Sequence, residues 1–69
     1  MTEHVYKKVE LVGTSMTSVT DAIEKAIAKA SVTIKNLDWF EVGQIRGHIV
    51  DGAVAHYQVE IKAGFKVED

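Results

Sequence analysis

From Ala53 to Val67 apolar and polar residues alternate almost without interruption, and this alternation restricts the fold more than any other feature of the chain. Tyr57, Val59, Ile61, Phe65 and Val67 share one parity; His56, Gln58, Glu60, Lys62 and Lys66 share the other. Side chains of a strand point alternately to opposite faces, so the segment reads as a one-sided antiparallel strand, apolar beneath a covering layer and polar away from it. Just before it, Asp51-Gly52 reads as a two-residue hairpin turn, because Asp-Gly readily supplies the positive φ angles required. The partner strand is then the stretch from Leu37 to Gly47, continued to Val50, which carries the only Trp, one of two Phe and the only Arg.

That turn sets a register. Val50 faces Ala53, Arg46 faces Tyr57, Val42 faces Ile61 and Phe40 faces Ala63, which puts Phe40 and Val42 on the core side. Trp39 falls opposite Gly64, on the polar face with Gln58, Glu60 and Lys62. Arg46 falls on the other face from Trp39, and a bulge at Gly43 would shift part of this register. A Trp side chain carries roughly 150–250 Å² of surface. Its burial is worth about 4–6 kcal/mol at the usual area coefficient. A second subunit or a flat ligand is therefore expected to cover Trp39.

Upstream, His4 to Gly13 reads as a strand with Val5, Lys7, Val9 and Leu11 inward and Tyr6, Lys8, Glu10 and Val12 outward, broken by Gly13-Thr14-Ser15. Val19, Ala22, Ile23, Ala26, Ile27, Ala30 and Ile34 then recur at helical spacing. Ser18 with Asp21 predicts a capping box, Asp21 with Lys25 an i,i+4 ion pair, and Asn36 the helix stop. The Ala-rich stripe lets the helix approach a sheet closely.

The chain has 69 residues and reads as a single domain, residues 1–69, with no internal repeat and no Cys. A domain of about 60 residues buries only about 60% of the surface of its unfolded chain. Without disulfides or thiolate metal sites, oligomerisation is the expected remedy. The formal charge of −2 gives no basic face for nucleic acid. No apolar run has membrane-spanning length and no signal-peptide core is present, so the expected location is cytoplasmic.

Five short motifs carry a resemblance over nearly the whole chain. They are Tyr6-Lys-Lys-Val-Glu-Leu-Val-Gly-Thr-Ser15, Leu37-Asp-Trp-Phe-Glu-Val42, Ile45-Arg-Gly47, Tyr57-Gln-Val59 and Gly64-Phe65. In this the chain resembles the bacterial dodecins, small flavin-binding proteins. The resemblance implies an α+β subunit of β-α-β-β order, its three-stranded antiparallel sheet wrapped around one helix, assembled as a hollow homododecamer. It implies FMN or riboflavin as ligand, stacked in pairs between Trp residues at two-fold axes. Trp39 matches the stacking residue, Gln58 the residue whose amide binds the polar edge of the isoalloxazine, and Arg46 a residue lining the same pocket. Tyr6, on the outward face, edges it. Some relatives also bind coenzyme A; Lys29 and Lys66 stand where relatives can carry Arg.

Each of these residues also has a plainer reading. Trp39 and Tyr6 can pack subunits, Gln58 can be a solvated strand residue, and Arg46 can stack on Tyr57. His48 and His56 fall on opposite faces in this register, with no carboxylate spaced to join them, so no metal site is expected. Ser15 has no paired base, which argues against nucleophilic catalysis. The expected function is non-catalytic flavin binding, storage and quenching. The alternatives are a small flavin-dependent reductase, for which no nucleotide fingerprint is present, and a shell protein without ligand.

Overall fold

The computed structural model describes residues 3–67. Strand β1 spans Tyr6–Ser15, helix α1 Val19–Thr33, strand β2 Leu37–Val50 and strand β3 Ala53–Lys66. The sheet is antiparallel with β3 in the centre, in the order β1-β3-β2. This accounts for the strict alternation of β3, the one strand with a neighbour on each side and a helix across one face.

Helix α1 lies across β1 and β3. Ala22, Val59 and Ile61 are fully buried between the layers, with Leu11, Val19, Ile23, Ala26 and Ile27 around them. The closest approach is at Gly13, where an added Cβ would run into the Ala22 carbonyl oxygen and lie 3.1 Å from the Ala26 Cβ. Gly13 therefore does not break the strand, as the sequence suggests; β1 continues to Ser15. The glycine is there because the helix backbone occupies the space a side chain would need.

The helix N-terminus corrects a second expectation. Ser18 caps it as foreseen, its Oγ accepting from the Asp21 N–H at 3.0 Å. The return bond of a capping box is missing, since Asp is one methylene shorter than the usual Glu. The Ser18 N–H instead donates to Ser15 Oγ at 3.3 Å, as does the Thr17 N–H at 2.9 Å. The Ser15 hydroxyl in turn donates to Asp21 at 2.6 Å, and Lys25 pairs with the same carboxylate at 3.0 Å. These bonds, Ser15 first and Lys25 second, hold the Asp21 carboxyl below its ordinary 3.8. A lowered folded pKa contributes stability that is complete above the unfolded value and lost as the pH falls through the folded one. Wild-type protein is expected to lose stability relative to Asp21→Asn on acidification below about pH 4, which melting temperatures across that range will measure.

Past α1, Asn36 at φ 67° turns the chain into β2, and Asp51 and Gly52 at φ 52° and 78° form the expected hairpin turn. The described chain extends over 55 × 20 × 14 Å, because the β2–β3 hairpin runs well beyond the helix. One 15-residue helix, about 22 Å long and 10 Å wide, covers two strands and not three. Phe40 and Val42 do lie on the covered side, opposite Ala63 and Ile61, yet remain 50% and 42% exposed. Ile45 and Ile49 further along are 55% and 70% exposed. No described helix is long and apolar enough to cross a membrane.

Candidate functional site

The outer face of the sheet, away from α1, is where the residues singled out in the sequence gather. Trp39 pairs with Gly64, as the hairpin register requires. Its indole lies over that glycine so closely that a Cβ at Gly64 would fall on the ring. Gly64 is the one position of β3 where the polar parity has no side chain, and the strand surface there becomes a bed for a flat ring. The indole is only partly buried.

On the other side of Gly64, β1 supplies the rest of this end. Tyr6 sets its ring 5.9 Å from Trp39 at a tilt of 56°, and its hydroxyl donates to Asp38 at 3.0 Å. That bond to a carboxylate raises the Tyr6 pKa, keeping the phenol a donor. Lys8 stands opposite Gly64 with its ammonium 6.0 Å from the indole and pairs with Glu41 at 3.2 Å, across the central strand. Lys8, Asp38 and Glu41 were not legible as site residues. Their place depends on β1 lying against β3, and no local pattern states which strand is central.

Further along the same face, the register differs from the one the turn alone predicts. Val42 pairs with Ile61, but Ile45 pairs with Val59, so Gly43 and Gln44 together oppose Glu60. This is a bulge, and it reverses the parity of the residues beyond it. Arg46 consequently pairs with Gln58 and not Tyr57, and both project on the Trp39 side. Its guanidinium forms an ion pair with Glu60 at 2.5 Å and a long contact of 3.5 Å with Gln44. The hydrogen bond from Arg46, helped by its charge, lowers the Glu60 carboxyl from its ordinary value. The bulge also overturns the separation of the histidines, since His48 pairs directly with His56.

The four expected residues thus form two pairs on one face. Tyr6 and Trp39 meet at one end; Arg46 and Gln58 meet at the other. Gly64 and Gln58 are six positions apart in β3, roughly 20 Å at the rise of a strand. One chain does not bring all four around a single small molecule, whereas a second chain packed antiparallel would lay one end against the other. Lys29 is exposed on α1 and Lys66 lies in β3 beside Tyr6, on opposite sides of the sheet, so these two are not brought together. Among the described residues no group of three or more His, Cys, Asp or Glu could hold a metal ion.

The Dodecin family model matches residues 5–68. A dodecin from Thermus thermophilus is 52% identical over 65 residues, 94% of each chain. The structure of dodecin from Streptomyces coelicolor superimposes with a TM-score of 0.93 at 51% identity, covering 100% of this chain and 99% of that one. Dodecin from Streptomyces davaonensis does so with a TM-score of 0.92 at 46% identity, over 99% of this chain and 100% of that one.

Proposed function

This chain belongs to the dodecin family, and on that premise we propose that it is a non-catalytic flavin-binding protein, a homododecamer that stores and shields FMN or riboflavin. The observation that carries the proposal is the Trp39 indole bedded on Gly64 on the uncovered face of the sheet. A two-fold axis would duplicate that surface, so that two indoles bracket two planar rings. The exposed apolar side chains of β2, among them Phe40, Ile45 and Ile49, are the surface such an assembly would cover.

The residues present suit a flavin. Stacking of a flat heteroaromatic on an aromatic side chain is worth about 1–3 kcal/mol. Gln58 offers two donors and an acceptor, complementary to alternating carbonyl and N–H groups on a ring edge. Arg46 offers a planar fork for a carbonyl or phosphate, and the Gly43 bulge turns it to that face. Since these two lie roughly 20 Å along the sheet from Trp39 of the same chain, the pocket is shared between subunits. A flavin held there would supply a photo-oxidant, and Trp39 beside it would be the electron-rich partner able to quench its excited state by reversible electron transfer. Rings enclosed on both faces would leave little room for a substrate beside their reactive edge, which favours storage over turnover.

Titrating FMN with the protein is expected to extinguish flavin fluorescence at stoichiometric ratio, on a particle about twelve times the 7.6 kDa chain mass. Undiminished emission at saturating protein would overturn the reading, and full-size particles that never take up flavin would leave a shell.

A further inference from the structure

Beyond the flavin pocket, the outer face carries a second cluster. His48 and His56 stand directly opposite each other on β2 and β3, their rings stacked with centroids 5.4 Å apart and planes inclined by 22°. Two register irregularities frame this pair. The bulge at Gly43 brings both histidines to the same face, and a second between His48 and Ile49 returns the following residues to the turn's own register. We propose that His48 and His56 form a cross-strand chelate for a divalent transition-metal ion of the Zn²⁺ type, one step along the strands from Arg46 and Gln58 on the same face.

The argument is chemical and geometric. Neutral imidazole is the ligand of choice for Zn²⁺, Ni²⁺ and Cu²⁺, whereas Ca²⁺ and Mg²⁺ need oxygen donors that this pair does not offer. With Zn–N bonds of about 2.0–2.1 Å, one tetrahedral ion bridges two ring nitrogens roughly 3.3–3.4 Å apart. With centroids 5.4 Å apart the rings have to turn out of the stack about their side-chain bonds so that in-plane nitrogen lone pairs converge on one ion, a motion open to the exposed His48 and the half-buried His56. A sheet holds the two backbones rigidly, so little ordering entropy remains to be lost on binding.

The surrounding charges permit a cation. Arg46, two residues before His48 on the same face, is neutralised by Glu60. Lys25, which shares a cleft with His56, is neutralised by Asp21 at 3.0 Å. Two protein ligands leave the remaining positions to water or to the same pair on a neighbouring copy.

Calorimetric titration of the flavin-loaded assembly with Zn²⁺ tests this, carried out in a His4→Ala background so that the third histidine cannot contribute. Saturable binding of one ion per chain, or one per two chains if copies share it, is expected at micromolar metal. His48→Gln and His56→Gln, which keep side-chain size and polarity, are each expected to weaken binding about tenfold or more while flavin fluorescence stays quenched. Absence of saturable binding, or an affinity that either substitution leaves within about twofold, overturns the chelate. Because quenching is read in the same sample, failure of the flavin reading and failure of the metal site are told apart.

Discussion

Replacing Trp39 with alanine is expected to leave FMN almost as fluorescent with protein as without it, and to weaken flavin binding by roughly 5–150-fold, the span of one lost aromatic stack. The size of the effect follows from where the indole stands. It is not a core residue whose loss opens a cavity, because it lies on the outer face over Gly64. The variant is therefore expected to fold and assemble, and sizing will verify that before affinity is read. A complementary substitution approaches the same surface from below. Gly64→Leu leaves the indole in the sequence and removes its bed, since even a Cβ at this position falls on the ring. Fluorescence titration is expected to show the same loss of quenching for both variants. Retained quenching in Gly64→Leu would mean that the bed is not required.

The second large effect is on folding. Gly13→Val puts three carbons where the Ala22 carbonyl oxygen already stands, and that oxygen belongs to the helix backbone and cannot rotate away. The helix has to lift from β1, and the buried Ala22, Val59 and Ile61 would lose their contacts. Overpacking typically costs about 1–3 kcal/mol and sometimes more. Small domains have only about 5 kcal/mol or so to lose. Gly13→Val is expected not to accumulate as folded protein, and Gly13→Ala to melt lower by roughly 5–20 °C. Gly43→Ala is the control. A Cβ there meets the Glu60 Cβ at 3.4 Å, an ordinary contact, and melting should shift little.

Several features were legible from local pattern. The period of two in β3, the helical stripe from Val19 to Ala30 and the Asp51-Gly52 turn each arise from a handful of neighbouring residues, and each stands in the structure as read. Near Trp39 the register was equally legible, because Phe40 and Val42 match apolar partners and a slip by one residue would expose them. The reading failed where a single inserted residue decides the outcome. Gly43 was visible as a place where a bulge could sit, but whether it formed depended on the partner strand. Its formation moved Arg46 from Tyr57 to Gln58 and brought the two histidines together. Gly13 was misread for a related reason. In one dimension a glycine marks a break, and only the helix packed above it shows that the vacancy is occupied.

The amino-acid sequence by itself determined the β-α-β-β order, the capped helix, the hairpin and the face on which Trp39 emerges, since periodicity and turn chemistry act over a few residues and need no distant partner. Only the tertiary structure decided that β3 is central, that Lys8 and Tyr6 flank the indole, that α1 leaves β2 uncovered, and that Arg46 and Gln58 stand far along the sheet from Trp39. Those outcomes depend on which long-range pairings bury the most apolar surface together, a competition settled among whole elements, and no stretch of chain records its result.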